Sequence, residues 1–347
     1  MYTIKELAEK TGIIPNAIRF YEKKGLLCPK RTENNYRVYE AEDVTRLEQI
    51  LLYRKMGFSI GNIKELLDKN ADVMEQIVAQ YTLLNRHIHS MVHIRETLGR
   101  LIEDMLNRDG TENILEEDML AQIAETAKLI SLSENWQDEW NFDNQATVYD
   151  SLIREYDDGL NFYKNYDLVL EKAAQKVSGG VVVEIGIGTG NLAVQVLKQA
   201  KEQEKTVIYI GVDQSINMLK EAKKKCPEIG LKKGDFLNLP LEAKSCDAIA
   251  TSYAFHHCDA EEKVLAVAEM DRVLREKGSV VIADLMFADQ KARELFAETC
   301  STREREDLAD EFFGNVDEIS KLFTELGYEC EAEQIDELIW IISATKK

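Results

Sequence analysis

The chain has 347 residues, more than one hydrophobic core usually serves, so we expect about two domains. Its formal net charge of -20 argues against nonspecific binding of the whole molecule to nucleic acid or membrane surfaces. The charge is uneven, because residues 1–60 carry 11 Lys and Arg against 8 Asp and Glu, or +3, which leaves -23 for the rest. Only the first part of the chain is therefore expected to approach a phosphate backbone.

The cysteines and the apolar runs exclude several classes of protein. Six cysteines are scattered without a C-x-x-C pair, so the sequence predicts neither a disulfide framework nor a metal site. No apolar run approaches the roughly 18 residues that a membrane span needs. We expect a cytoplasmic protein.

Two short helices joined by a tight turn are predicted at the start of the chain. Thr3 and Glu6 form a capping box, and Gly12 ends the first helix. Pro15 suits the first position of a second helix, which Gly25 closes. This pattern is a helix-turn-helix, and a small hairpin with basic and aromatic residues follows it.

Four motifs in this region resemble the winged-helix domain of the MerR family of bacterial regulators. They are Ile18-Arg19-Phe20-Tyr21-Glu22, Gly25-Leu26-Leu27, Tyr36-Arg37-Val38-Tyr39 and Arg54-Lys55-Met56-Gly57-Phe58-Ser59. The resemblance implies that the second helix enters the major groove of promoter DNA and that the hairpin wing grips phosphates. The DNA contacts that it implies are Asn16, Arg19, Tyr21, Lys24, Arg37 and Tyr39. Taken singly, each charge has the alternative of a solvated surface position.

A repeat of three and four residues between Met74 and Met105 predicts a coiled coil. Its positions are Met74, Ile77, Tyr81, Leu84, Ile88, Met91, Arg95, Leu98, Ile102 and Met105. The alternative is an amphipathic helix inside one globular domain, although such a helix follows a period of 3.6 and drifts off a strict heptad. We expect a homodimer through residues 74–105, in which Arg95 sets the register or meets an acidic residue of the partner.

Residues 136–166 are unusually rich in aromatic side chains. They are Trp136, Trp140, Phe142, Tyr149, Tyr156, Phe162, Tyr163 and Tyr166. Their polar, helix-like context predicts a lid over an apolar pocket. The alternative is that these rings only pack the segment against the next domain.

The second half of the chain alternates strand and helix patterns, as a doubly wound parallel sheet requires. A buried-strand run at residues 181–185 breaks into Gly186-Ile187-Gly188-Thr189-Gly190, and a helix pattern follows. Such glycines let a ligand lie against bare backbone at a helix N-terminus. Asp213 ends the second strand, where an acid can hold both ribose hydroxyls. An NAD-dependent enzyme would also require that acid.

Three observations favour another cofactor. The glycines of the loop are spaced as G-x-G-x-G, whereas a pyrophosphate-binding fingerprint has its third small residue one place later. Glu184, just before the loop, suits a positively charged amino group better than a pyrophosphate. A second acidic turn, Gly234-Asp235-Phe236, follows in the order expected for gripping an adenine edge. From about Trp136 to the end, the chain resembles a class I S-adenosylmethionine-dependent methyltransferase, an α/β Rossmann-like fold with a seven-stranded, mostly parallel sheet.

The resemblance implies a set of site residues. The cofactor-binding positions are Tyr149, Glu184, Gly186, Gly188, Gly190, Asp213, Gln214, Asp235, Phe236 and Ser252. Phe142-Asp143, Ala146 and Tyr149-Asp150 resemble the leader that small-molecule methyltransferases lay across their cofactor pocket. His256, His257 and Asp284 are candidates for a base, although each has the alternative of a structural hydrogen-bonding role. Thr251-Ser252-Tyr253-Ala254 stands where many nucleic-acid amino methyltransferases have Asn-Pro-Pro-Tyr, which favours a small-molecule acceptor.

The sequence therefore predicts a multidomain protein. Residues 1–70 are the winged helix-turn-helix domain, 71–107 the coiled-coil helix, 108–135 a helical linker and 136–347 the methyltransferase domain. The predicted function is a MerR-type transcriptional regulator whose methyltransferase domain methylates a small molecule and couples its ligand state to promoter binding. Two alternatives stay open: a catalytically silent sensor of S-adenosylmethionine or another effector, and an ordinary methyltransferase whose front end only dimerises it.

Overall fold

The computed structural model describes residues 1–32, 36–67, 73–107, 116–135, 142–155 and 160–347. The chain forms two compact units, Met1–Ile88 and His89–Lys347. The division falls inside a helix, whereas the sequence places domain boundaries at the two ends of that helix; those boundaries stay a prediction. Trp136, Trp140 and Tyr156 lie outside the described residues, as do residues 108–115 of the predicted linker.

The first unit contains the predicted helix-turn-helix and hairpin. Its elements are α1 (Ile4–Thr11), α2 (Pro15–Lys23), β1 (Lys30–Arg31), β2 (Arg37–Val38), α3 (Ala41–Lys55) and α4 (Ile60–Leu66). The capping box of Thr3 and Glu6 is present, and Gly12 ends α1 in the left-handed conformation. Buried side chains of α1, α2 and α3, among them Leu7, Ile18 and Leu47, pack into one core.

Helix α5 (Val73–Asn107) contains the predicted coiled-coil repeat, and its residues from His89 onward belong to the second unit. The repeat lies on an exposed face of this single chain. Its apolar members Met74, Ile77, Tyr81, Leu84, Ile88, Met91, Leu98 and Ile102 are each 40% to 57% exposed. The helix is as predicted, and the coiled coil stays a prediction.

The second unit begins with helices and continues as an alternation of strands and helices. The first helices are α6 (Glu116–Asn135), α7 (Phe142–Gln145), α8 (Tyr149–Glu155) and α9 (Tyr166–Lys176). The following elements are β3 (Gly180–Ile185), α10 (Asn191–Glu202), β4 (Val207–Asp213), α11 (Ile216–Lys225), β5 (Gly230–Lys233), β6 (Cys246–Ser252), α12 (Ala260–Val273), β7 (Leu274–Phe287), α13 (Gln290–Thr299), α14 (Thr302–Asp310), β8 (Gly314–Asn315), α15 (Val316–Glu325), β9 (Tyr328–Gln334) and β10 (Ile339–Lys346).

The main sheet has the strand order β5-β4-β3-β6-β7-β10-β9, with the short β8 beside β7. Strands β5, β4, β3, β6 and β7 run parallel, and β10 is antiparallel to both of its neighbours. The order reverses between β3 and β6, and ligands of doubly wound sheets bind at the carboxyl ends of the strands beside such a reversal. This confirms the predicted Rossmann-like fold, in which β8 adds an eighth strand to the expected seven.

Apolar clusters cover both faces of the sheet. One contains Val169 of α9 and Leu192 of α10, and the other contains Met270 of α12 and Phe323 of α15. Both faces are therefore closed to water, which explains why the strands read as nearly continuous apolar runs. Among the described helices, none combines the length and apolar composition that crossing a bilayer requires.

Candidate active site

The glycine-rich loop between β3 and α10 is shaped by positions where a side chain does not fit. Gly186 has φ +68°, and a Cβ built on it would lie 2.5 Å from the Cβ of Ala254. Gly188 has φ +53°, and no heavy atom of the described structure lies within 4 Å of its built Cβ. The loop therefore packs tightly at Gly186 and leaves open space against the backbone of Gly188.

A cavity opens over this loop. It is lined by Phe142, Tyr149, Ile185, Gly186, Gly188, Asp213, Gln214, Met218, Gly234, Asp235, Phe236, Tyr253, Ala254 and His257. These residues come from the lid segment, from the carboxyl ends of β3, β4, β5 and β6 and, in the case of Met218, from helix α11. The topological switch point of the sheet therefore coincides with the cavity.

Two acids of the lining are held by the loops in which they stand. The Asp213 carboxylate accepts hydrogen bonds from the backbone N–H groups of Gly188 and Ser215, both at 2.8 Å. Asp235 accepts from the backbone N–H of Leu237 and the side-chain amide of Asn238, both at 3.0 Å. These bonds fix the direction of each carboxylate before any ligand arrives.

Glu184 lies beneath the loop, outside the cavity lining. Its side chain is 1% exposed, and Tyr209 donates a hydrogen bond to its Oε2 at 2.7 Å. Burial raises the pKa of Glu184 to about 8, because an ionised carboxylate loses its hydration there. The carboxyl group is consequently mostly neutral at pH 7, which differs from the anion expected to attract an amino group.

The lid segment is tied to the cavity rim by two acids whose role the sequence left unassigned. Asp143 after the start of α7 accepts from the Ser215 hydroxyl at 2.6 Å. Asp150 of α8 accepts from the Thr189 hydroxyl at 2.6 Å and from Lys225 Nζ at 2.7 Å. The lid is therefore bonded to the N-terminal end of α11 and directly to the glycine-rich loop.

Four tyrosines pack together beside the cavity: Tyr149, Tyr163, Tyr166 and Tyr253. The ring centroid of Tyr253 lies 5.3 Å from that of Tyr163 and 5.1 Å from that of Tyr166. Tyr253 has φ +49°, a left-handed conformation that a bulky residue rarely adopts without surrounding constraint. Burial raises the pKa of all four phenols, so their hydroxyls stay protonated and can donate hydrogen bonds.

The three candidate bases occupy different environments. Asp284 Oδ1 lies 2.5 Å from His256 Nδ1, and its Oδ2 accepts from backbone N–H groups including that of Phe255 at 2.6 Å. Asp284 thus holds the loop after β6 in place. Only His257 of the three lines the cavity, and its ring centroid lies 5.1 Å from that of Phe142 with the two rings tilted by 60°. Burial lowers the pKa of His257 to about 4, so its imidazole is neutral at pH 7.

The structure brings together seven of the ten predicted cofactor-binding residues. Tyr149, Gly186, Gly188, Asp213, Gln214, Asp235 and Phe236 line the cavity. Of the other three, Glu184 is buried below the loop, Gly190 forms the N-cap of α10 against Ala222, and Ser252 ends β6 outside the lining. Sequence reasoning missed Met218 and Tyr253 as lining residues; an aromatic residue directly after a strand end was the available signal for Tyr253.

The predicted DNA contacts divide into exposed and buried residues. Asn16, Arg19 and Lys24 are exposed on or next to α2, where Arg19 donates to Asn16 at 2.7 Å. Arg37 on the wing is partly exposed and paired with Glu22 at 2.7 Å. Tyr21 and Tyr39 are 9% and 0% exposed. The structure therefore places these two rings in the domain core, because the aromatic positions of so small a domain are needed to fill it.

Comparisons with known proteins agree with this division of the chain. The family model described as MerR HTH family regulatory protein matches residues 2–70, and that described as Methyltransferase domain matches residues 182–278. A methyltransferase of Alkaliphilus oremlandii is 36% identical over 213 residues, which is 59% of this chain and 95% of the relative. A methyltransferase of Geobacillus sp. WCH70 is 34% identical and covers 63% of this chain and 99% of the relative.

Solved structures of similar chains include a SAM-dependent methyltransferase of Thermotoga maritima. It is 23% identical, covers 59% of this chain and 98% of its own, and superposes with a TM-score of 0.44.

Proposed function

The chain belongs to the methyltransferase family and carries a MerR-type helix-turn-helix domain at its amino end, and from this premise we propose a two-part function. In this proposal the methyl donor is S-adenosylmethionine. We propose that the acceptor is a small molecule and that the first unit binds promoter DNA within a homodimer. The ligand state of the methyltransferase cavity then changes promoter binding.

The donor set of the cavity fits the cofactor. Asp213 at the end of β4 is placed to accept from ribose hydroxyls, and Asp235 after β5 is placed to accept from an adenine amino group. Phe236 supplies an apolar surface for the base, and the bare backbone of Gly188 leaves room for the rest. When bound, S-adenosylmethionine supplies an electrophilic methyl group on a sulfonium.

The protein's contribution to methyl transfer is positioning and the exclusion of water. Asp143 and Asp150 bond the lid to the cavity rim, so that Phe142 and Tyr149 lie over the site. His257 is the candidate that reaches the cavity, and a base is needed only when the acceptor retains its proton.

A small-molecule acceptor is supported by the residues at the end of β6 and by the charge of this part of the chain. Thr251-Ser252-Tyr253-Ala254 stands where many nucleic-acid amino methyltransferases have Asn-Pro-Pro-Tyr. The net charge of -23 over residues 61–347 repels nucleic acid from this part of the chain.

Binding of promoter DNA is supported by the first unit. Asn16, Arg19 and Lys24 lie exposed on or beside the second helix of the helix-turn-helix, the element that enters the major groove in this class of domain. Arg37 lies on strand β2 of the wing, and in this proposal it contacts a phosphate. The local charge of +3 over residues 1–60 favours such an approach.

Dimerisation is supported by the exposed face of α5. Eight apolar members of the repeat are 40% to 57% exposed in the single chain. A row of large apolar side chains is more stable when another apolar surface covers it. A second copy of the same helix presents a matching repeat, and the strict alternation of three and four residues suits knobs-into-holes packing.

Coupling between ligand and DNA is supported by the contact of α5 with the loop after β5. His89 is 5% exposed, and its Nε2 lies 3.0 Å from the carbonyl oxygen of Leu239. Its Nδ1 lies 3.5 Å from Glu269, which also accepts from the Leu239 backbone N–H at 3.2 Å. Asp235, which lines the cavity, belongs to the same loop. The coupling proposal is based on this contact, because helix α5 also contains the last residues of the first unit.

The test is a thermodynamic cycle on the full chain. The affinity for a labelled fragment of its own promoter is measured by fluorescence anisotropy with and without S-adenosylmethionine, and the affinity for S-adenosylmethionine is measured with and without the fragment. If the two sites are coupled, DNA changes the affinity for S-adenosylmethionine by the same factor by which S-adenosylmethionine changes the affinity for DNA. His89→Ala should reduce this factor while leaving cofactor binding intact, and His87→Ala, an exposed position on the same helix, is the matched control.

The outcomes separate the alternatives. Arg19→Ala should abolish specific DNA binding, and an unchanged footprint would contradict the regulatory role. Transfer of a labelled methyl group to a metabolite in a cell extract is expected. Reciprocal coupling without any transfer would identify the catalytically silent sensor instead.

A further inference from the structure

Two histidines and a glutamate from distant parts of the chain converge beside the cavity. Glu311 Oε2 lies 3.7 Å from His256 Nε2 and 3.6 Å from His257 Nδ1. The three donor atoms all lie within 4.8 Å of one another. His256 is 3% exposed, and the side chains of His257 and Glu311 are 14% and 17% exposed.

His256 is oriented by a carboxylate in the manner of a metal-binding histidine. Its Nδ1 faces Asp284 Oδ1 at 2.5 Å, so Nε2 is the ring nitrogen that faces the cluster. Histidines that bind metals are commonly held by a second carboxylate in this way. His257 presents its Nδ1 to the same cluster, within 4.8 Å of the other two donor atoms.

Glu311 is fixed at the cluster by its neighbour in the chain. The backbone N–H of Phe312 donates to the carbonyl oxygen of His256 at 3.2 Å, and Lys263 Nζ donates to the Phe312 carbonyl at 2.7 Å. Glu311 Oε2 is buried and is turned toward both imidazoles. The carboxylate oxygen and the two ring nitrogens are therefore directed at one common space.

We propose that His256, His257 and Glu311 bind a divalent metal ion of the zinc type. Two ligand atoms about 2.1 Å from zinc at the tetrahedral angle lie about 3.4 Å apart, close to the two separations between Glu311 and the imidazoles. Two imidazoles and one carboxylate are the ligands of zinc sites that keep a fourth position open. Mg²⁺ and Ca²⁺ prefer oxygen ligands and do not suit this set.

The position of the site gives the ion a use in the reaction. His257 belongs both to the triad and to the cavity lining, so the ion stands at the edge of the space for an acceptor. A zinc-type ion lowers the pKa of a bound thiol, alcohol or water. The neighbouring Asp284 adds negative charge that favours a cation, whereas the buried Lys263 opposes it.

The test measures metal binding directly on the untagged full-length protein. After removal of metal with a chelator, Zn²⁺ is titrated in competition with a chromophoric chelator, and Co²⁺ is used to record the visible absorption of a low-symmetry site. The variants are Glu311→Gln and His257→Gln, and His87→Ala removes an exposed imidazole as the control. Circular dichroism and urea unfolding verify that each variant is folded.

We expect one Zn²⁺ per chain, an affinity weakened at least about 10-fold by either triad substitution, and an unchanged affinity in the control. A wild-type protein that does not compete with the chelator would overturn the proposal, and so would folded triad variants that bind zinc as tightly as His87→Ala. The readout does not involve methyl transfer. A chain that binds zinc through the triad but methylates nothing would overturn the proposed enzyme function and leave this inference standing.

Discussion

Replacing Gly188 by alanine tests whether the cofactor lies against the backbone of the glycine-rich loop. The new methyl group meets no atom of the described protein within 4 Å, so it enters only the space in which the cofactor is placed. The residue also has φ +53°, where an alanine is strained by about 1–2 kcal/mol. We therefore expect a small loss of stability together with a large loss of cofactor affinity.

Gly327 provides the matched control. It has φ +88° at the end of α15, and no heavy atom lies within 4 Å of its built Cβ either. Gly327→Ala should thus lower the free energy of unfolding by the same 1–2 kcal/mol, roughly, without touching the cavity. Urea unfolding followed by circular dichroism measures this quantity for both variants in the absence of cofactor.

The difference between the two variants should appear in binding. One methyl group forced into a filled site costs about 1–3 kcal/mol, which weakens the affinity about 5- to 150-fold. Isothermal titration with S-adenosylmethionine should therefore give a raised Kd for Gly188→Ala and an unchanged Kd for Gly327→Ala. Equal Kd values in the two variants would refute the placement of the cofactor over Gly188.

Three further outcomes are expected. Asp150→Asn removes the ion pair with Lys225, which is partly exposed and therefore contributes about 1 kcal/mol or less. The affinity for the cofactor, measured by isothermal titration, should fall up to about five-fold. This affinity should also depend less on salt concentration than in the unaltered protein. Burial raises the pKa of Glu184 to about 8 in the folded state, so between about pH 4.5 and 8 the folded state holds a proton that the unfolded state has released. The free energy of unfolding should therefore fall as the pH rises through this range, by at most about 5 kcal/mol. Glu184→Gln should flatten this slope in urea unfolding, and equal slopes would contradict the buried neutral carboxyl. Leu84→Lys should convert the dimer to a monomer in sedimentation velocity because it places a charge on the exposed repeat, whereas His87→Lys should leave the dimer intact.

Local features were readable from the sequence because neighbours along the chain produce them. The capping box of Thr3, the strand that ends in Asp213 and the turn at Gly186 each depend on a few adjacent residues, and each was predicted at the place where it occurs. The fold class followed from the alternation of strands and helices, since few arrangements bury such a pattern.

The assignment of individual side chains depended on long-range packing. Tyr39 carries the same motif signal as Arg37, yet only the folded domain decides that its ring fills the core. Glu184 was expected to meet a ligand as an anion, and burial under the loop makes it neutral instead. Burial and desolvation depend on atoms far away in sequence, so no local pattern reports them.

The sequence by itself determined that a basic helix-turn-helix, a long helix with an apolar repeat and an acidic Rossmann-like domain follow one another in this chain. The tertiary structure alone decided that Asp150 bonds the lid to the glycine-rich loop, that His89 contacts the loop after β5 and that Glu311 joins His256. All three contacts have the same physical basis. Each contact joins groups that are distant along the chain and that become neighbours only when the sheet and its helices have packed.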